Sequence, residues 1–244
     1  MKKLKSIHGA RTIMFSELEK VMDYSIENDT FLDSLGNNVF GKKSADGIRQ
    51  TSGFLKRLYS FDLNNPQFSA FKYFWKITEP AEKPLIAFVY AINHDDILAE
   101  SIQVLLATKH GDKVAIETFE DEIEKYHPNQ YSPNTRKSMA QNIASSWKQA
   151  GFIVGKVKNI RTQPEIGYRV ACFAFLLSYL KGDRGDFIWN SKGVKSLCVF
   201  ESKLRELAIE CAKNDLIQYQ YAGSVTAIGF NNLLNKIGIN GNKD

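Results

Sequence analysis

Apolar residues recur at helical spacing over most of this sequence, and short breaker clusters cut the pattern into segments of one to five turns. That rhythm constrains the chain to a mainly α-helical bundle. Residues 12–31 carry Ile13, Leu18, Val21, Met22, Tyr24 and Ile26 close to a helical period, which predicts one helix there. Ser44 is a cap for a second helix, with Ile48, Phe54, Leu55 and Leu58 along it. Leu63-Asn64-Asn65-Pro66 reads as a turn, with Pro66 at the first position of a helix running to Thr78. Pro84 opens the apolar run 85–92. Asn93-His94-Asp95-Asp96 breaks it and caps the next helix, predicted over 97–106, and Gly111-Asp112 ends that one.

Strand signals are few and late. Phe152-Ile153-Val154 and 157–160 flank Gly155-Lys156 as a short hairpin. Residues 218–221 and 225–230 flank Ala222-Gly223-Ser224 as another. Between them, 165–180 and 201–214 read as helices. The expected fold is therefore a multi-helix bundle with a winged-helix-like element and one or two short β-hairpins. The simplest division is an N-terminal helical subdomain, 1–110, and a C-terminal helical subdomain, 111–244, carrying the winged-helix-like element and the last hairpin.

Composition excludes several classes. Hydrophobic residues at 43% leave enough apolar surface for a core and rule out a disordered chain. Cys172, Cys198 and Cys211 are odd in number and form no C-x-x-C pair, which argues against a disulfide framework or a thiolate zinc site. They read as neutral thiols in a reducing cytoplasm. Met1-Lys2-Lys3-Leu4-Lys5 is not followed by a long apolar stretch, and the run 170–180 is too short to span a bilayer. The expectation is a soluble, cytoplasmic protein with no membrane partner.

Charge is more informative in its distribution than in its sum of +5. Six acids, Asp112, Glu117, Glu120, Asp121, Glu122 and Glu124, precede a 39-residue stretch, 126–164, that holds no Asp or Glu at all. That stretch carries Arg136, Lys137, Lys148, Lys156, Lys158 and Arg161. Acids are about one residue in nine in this chain, so chance rarely leaves such a gap. Ser132 and Pro133 start a helix that stops at Gly151. On it, Met139, Ile143, Trp147 and Ala150 share one face, and Asn134, Lys137, Gln141, Ser145 and Lys148 share the other. The second set has the side-chain types that reach phosphates and base edges. An acidic helix, a turn, a polar-basic helix and a basic hairpin make the outline of a winged helix, whose second helix enters the major groove while the hairpin follows the backbone. The same residues also read as an ordinary amphipathic helix with a solvated basic face. A smaller basic set, Lys42, Lys43, Arg49, Lys56 and Arg57, gains meaning only if it folds beside this segment.

Catalytic motifs are missing. There is no phosphate-binding glycine loop, no G-x-S-x-G, and no H-E-x-x-H. His8, His94, His110 and His127 are scattered, and Arg184-Gly185-Asp186 reads as a turn. No enzyme, cofactor or metal is expected.

Four stretches together resemble the BrxA proteins of BREX phage-defence systems in bacteria and archaea. The first is Phe15-Ser16-Glu17-Leu18-Glu19, followed by 44–58 ending in Phe54-Leu55-Lys56-Arg57-Leu58, similar to that family's Arg-Leu helix end. The second is the helix pair from Leu85 and over 96–106. The third is Ser132-Pro133-Asn134-Thr135-Arg136-Lys137 continuing to Gln149-Ala150-Gly151-Phe152. The last is 214–228, with Gly223 between two β runs. Residues 182–196 have no counterpart in the family. The resemblance implies a small, mainly helical, double-stranded DNA-binding accessory factor working beside the other components of the defence system, its methyltransferase and ATPase, and it names no active site. The DNA contacts expected are Asn134, Lys137, Gln141, Lys148, Lys156, Lys158 and Arg161, with Arg136, Arg49 and Lys56 as outer candidates. Two other readings stay open: a scaffold whose basic face docks an acidic partner subunit, and an RNA-binding helical factor.

Overall fold

A computed structural model describes residues 6–223 and 225–239; the opening 1–5 and Ser224 of the last hairpin lie outside the described residues. In chain order the helices are α1 (Phe15–Ser25), α2 (Phe31–Gly36), α3 (Ala45–Tyr59), α4 (Pro66–Ile77), α5 (Lys83–His94), α6 (Asp96–Glu100) and α7 (Ile102–Ala107). They continue as α8 (Ile116–Tyr126), α9 (Pro133–Gln149), α10 (Tyr168–Leu180), α11 (Lys192–Lys195), α12 (Glu201–Lys213) and α13 (Asn231–Lys236). Two antiparallel pairs complete the set: β1 (Ile153–Val154) with β2 (Ile160–Arg161), and β3 (Gln218–Ala222) with β4 (Val225–Gly229). The fold is mainly α-helical with two short hairpins, as the periodicity predicts. No helix among the described residues is long and apolar enough to cross a membrane.

One predicted helix is shorter than its apolar period suggests, and another is broken in two. Over 12–31, Met14 sits in the left-handed region at φ 54°, so α1 begins at Phe15, and Asp29 at φ 56° turns the chain before α2. Neither residue is a glycine, and the apolar period runs on through both, which hides the break. Over 97–106 the chain divides at Ser101, whose hydroxyl donates to the Leu98 carbonyl at 2.6 Å and accepts the Trp147 indole N–H at 2.7 Å. A side chain competing for helix carbonyls interrupts the ladder.

The chain forms two compact units, each made of two separate segments. The first takes the residues up to Phe61 together with His94–Pro164; the second takes Asp62–Asn93 and the residues from Glu165 on. The expected division near residue 110 lies inside the first unit. There, backbone hydrogen bonds from Gly111 N to Arg161 O (2.8 Å) and from Val114 N to Asn159 O (2.9 Å) tie 111–114 to the β1–β2 hairpin.

The first unit builds its core from Leu18, Val21 and Met22 of α1, Leu55 and Leu58 of α3, Phe119 and Ile123 of α8, and Met139, Ile143 and Trp147 of α9, all buried. The second stacks aromatics: Phe71 lies 4.6 Å from Tyr90 and 6.0 Å from Phe173, and Phe74 lies 5.3 Å from Phe173, ring centre to ring centre. Such pairs add about 0.5–1.5 kcal/mol each beyond area burial. α10 is buried continuously from Val170 to Ser178, which accounts for the longest apolar run in the sequence. In this unit, 182–196 forms a 3-10 turn over Gly185–Asn190 and the short α11. Asp186 of the Arg-Gly-Asp tripeptide accepts from the Trp189 indole and pairs with Arg205.

Candidate nucleic-acid interface

The acid-free segment folds as one continuous piece of the first unit. Ser132 caps α9 by accepting the Thr135 N–H, Pro133 occupies the first turn, and Gly151 ends the helix at φ 85°. α8 packs along α9, and the start of the connection between them is held by two contacts. His127 Nε2 lies 2.7 Å from a Glu100 carboxylate oxygen, and Glu124 accepts the Asn129 N–H at 2.9 Å. After α9 the chain turns directly into β1, and β2 returns to pair with it and, through Ile160, with Lys113 on its other side.

α9 presents three sides. Met139, Ile143, Trp147 and Ala150 are buried, as their spacing requires. A second flank receives residues 6–15. Asn142 Nδ2 donates to His8 O at 2.8 Å, Ile13 N donates to Ser146 Oγ at 3.1 Å, and Phe15 N donates to Gln149 Oε1 at 3.1 Å. The third side is open. Asn134, Lys137 and Gln141 are exposed on it, with Ser145 and Lys148 half-buried further along. At 1.5 Å per residue this strip is about 20 Å long. Beyond it, Lys148 Nζ donates to Gly155 O at 2.8 Å, joining the helix end to the hairpin turn. Lys156 and Lys158 are exposed on that turn around Val157, which is 94% exposed. Among the described residues, Lys137, Lys156 and Lys158 make no ion pair.

Three expected contacts are engaged elsewhere. Arg161 is 6% exposed. Its guanidinium donates to Leu105 O at 3.3 Å, to Thr162 O, and to Gln163 Oε1 at 3.1 Å, and it lies over the Phe152 ring. It is a strut beneath the hairpin, because outward and inward positions alternate along β2 and position 161 turns in. Arg136 is ion-paired with Glu124 of α8. Arg49 pairs with Asp46 on its own helix at 2.7 Å, an exposed i,i+3 pair. Lys56 is exposed near the end of α3. Gly47 and Thr51 of α3 line one cleft with Arg11 and with Asn142 of α9. Arg11 donates to Gln50 at 3.2 Å and lies over the Phe54 ring, which Arg57 also covers.

A buried clasp joins residues that no sequence motif groups together. His8 Nδ1 lies 2.9 Å from Asp95 Oδ2, and His8 Nε2 lies 2.9 Å from Ser146 Oγ. Asp95 also accepts from Ser6 Oγ, Ile7 N and Leu98 N, the last as the cap of α6. Ser146 Oγ accepts Ile13 N and donates to Asn142 O at 2.9 Å. Burial pushes the Asp95 carboxyl up, but the adjoining His8 and the donated N–H groups outweigh it and hold it below the usual range. Ser, His and Asp stand in hydrolase order, yet their exposures are 0%, 0% and 1%, so no substrate atom reaches Oγ. The trio fastens residues 6–14 to α6 and α9.

Cys172 and Cys211 are buried and Cys198 is half-buried, all as free thiols; burial pushes the Cys172 thiol up, away from thiolate reactivity. Among the described residues no cluster of three or more His, Cys, Asp or Glu side chains is placed to hold a metal ion. No family model, no curated protein and no solved structure matches this chain.

Proposed function

We propose that this protein is a non-catalytic, cytoplasmic, double-stranded DNA-binding accessory component of a BREX-type phage-defence system. The observation that carries the reading is the acid-free strip of α9 running into a hairpin whose tip lysines are exposed and unpaired. The order of elements supports it: a single bridge residue, Lys113, then α8, a turn, α9 and a hairpin whose second strand pairs back onto that residue. This sequence of elements is compatible with the outline of a winged helix. In it, the exposed first half of α9, with Asn134, Lys137 and Gln141, enters the major groove, which is about 12 Å wide and admits a helix. Lys148, Lys156 and Lys158 meet the phosphates alongside. Arg161 supports the hairpin from within, and Arg136 and Arg49 stay with their own carboxylates. The defence-system setting rests on the resemblance of the motifs at 15–19, 44–58, 132–152 and 214–228.

The test is a fluorescence-anisotropy titration of a duplex of about 20 base pairs, long enough for several phosphate contacts. It compares the wild type with the triple variant Lys137→Glu, Lys148→Glu, Lys158→Glu. The triple variant loses at least tenfold in affinity while melting at the wild-type temperature. Unchanged affinity would refute the assignment of this face, and failure of the wild type to bind duplex at low salt would refute the function.

A further inference from the structure

Between Asp215 and Lys236 the sequence runs for 20 residues without an Asp, Glu, Lys or Arg, in a chain of which 24% is charged. In the second unit that run forms β3, β4 and most of α13. Edge strands are ordinarily guarded by charge, proline or a bulge. β3, Gln218-Tyr219-Gln220-Tyr221-Ala222, has none of these, and its pairing with β4 is unbroken from Gln218–Gly229 to Ala222–Val225.

The two outer edges of this hairpin differ. Two residues separate Ala222 from Val225, so this pair exchanges both of its backbone hydrogen bonds. Alternation then turns the N–H and C=O of Gln218, Gln220 and Ala222 toward β4, and those of Tyr219 and Tyr221 away from it. Among the described residues no other backbone group meets those outward pairs. The strand is exposed along its length apart from the half-buried Tyr219. The outer edge of β4 is closed instead. Thr226 and Ile228, whose backbone groups face outward there, are each 7% exposed, and Thr226 O lies 2.9 Å from where a Cβ on Gly185 would stand.

Charge and symmetry select what fits the open edge. Arg205 of α12 reaches the Tyr219 hydroxyl and the Tyr221 ring, but it is already paired with Glu201 and Asp186. A charged strand therefore finds no counter-ion along β3, whereas an identical strand meets it without like-charge repulsion. The outward groups sit symmetrically about Gln220, so a two-fold axis there gives each Tyr219 both backbone bonds of the other copy's Tyr221. We infer that β3 pairs antiparallel with β3 of a second copy of this chain, joining the two hairpins into a four-stranded sheet. The assignment is independent of the DNA-facing strip in the first unit.

Sedimentation equilibrium of the whole protein, from about 1 to 500 µM, tests this. The wild type associates to a dimer with a dissociation constant between about 1 µM and 1 mM, the range of a small interface. Gln220→Lys and Gln220→Glu each place two like charges directly across the axis and weaken association at least about fivefold. An equimolar mixture of the two variants places opposite charges there and associates at least as tightly as the wild type, which a folding defect would not allow. Ala227, opposite Gln220 on β4, is exposed on the same side of the hairpin. Its two copies would stand three strand spacings apart, about 14 Å, beyond the screening length of about 8 Å at physiological salt. Ala227→Lys therefore dimerises within about twofold of the wild type. A wild type that stays monomeric at 500 µM overturns the inference. So does a mixture no tighter than either Gln220 variant alone, or an Ala227→Lys defect as large as that of Gln220→Lys.

Discussion

Replacing His8 by Ala removes the centre of the clasp that fastens residues 6–14 to α6 and α9. Both of its ring contacts, at 2.9 Å to Asp95 and 2.9 Å to Ser146, are buried. Removing the ring that hydrogen-bonds a buried carboxylate costs about 3 kcal/mol, the upper part of the range for a lost buried partner, because the charge stays in the interior with one donor fewer. The Asp95 carboxylate keeps three donors, Ser6 Oγ, Ile7 N and Leu98 N, so the cost does not rise beyond about 3 kcal/mol. At about 2–4 °C per kcal/mol for a chain of this size, the melting temperature falls by about 6–12 °C. Denaturant unfolding of His8→Ala, Asp95→Asn and the double variant measures the pair directly. The double variant loses less than the sum of the singles, by about 1–3 kcal/mol, since the second change removes the charge that the first one stranded. A single-variant loss under about 1 kcal/mol, within the range of exposed pairs, or strict additivity, refutes the reasoning.

Other consequences follow from the same geometry. Arg161→Met strands the buried Leu105 carbonyl and destabilises by about 1–3 kcal/mol in a urea melt, yet leaves the duplex affinity of the folded protein unchanged; a selective loss of affinity instead would make Arg161 a DNA contact. Gly155→Ala cannot keep the hairpin turn, because at φ 100° its Cβ falls 2.1 Å from Lys158 O. Opening the turn costs about 1–3 kcal/mol and lowers DNA affinity together with it, which paired melts and titrations check. Asp95 is held below its ordinary value in the folded protein, so the stability it contributes is full above the unfolded-state value near about 3.9 and is lost as pH falls through the folded one. Melting temperatures taken from pH 5 downward therefore drop less steeply in Asp95→Asn than in the wild type.

Local chemistry made much of this fold legible. The Ser132–Pro133 start and Gly151 stop of α9, the glycine-centred hairpins and the Ser44 and Asp95 caps are set within a few residues, so the sequence alone reports them. The inward and outward sides of α9 followed from its period. What stayed hidden depends on distant partners. His8 finds Asp95 and Ser146 across 87 and 138 positions, and nothing near His8 announces either. The burial of Arg161 depends on the Leu105 carbonyl 56 positions away, so a basic residue in a basic hairpin was indistinguishable from its exposed neighbours. Likewise, 111–114 joins the hairpin through backbone bonds that leave no side-chain signature.

The salt dependence of duplex binding tests the central claim most directly. Four lysines, Lys137, Lys148, Lys156 and Lys158, stand at the proposed interface. If each neutralises one phosphate, the logarithm of affinity falls with the logarithm of salt at a slope of about −3.6, or about 150-fold between 50 and 200 mM. With unlabelled single-stranded RNA as competitor, the duplex remains bound. A slope shallower than about −1, corresponding to a single phosphate contact, or displacement of the duplex by an equal concentration of RNA, would contradict the account.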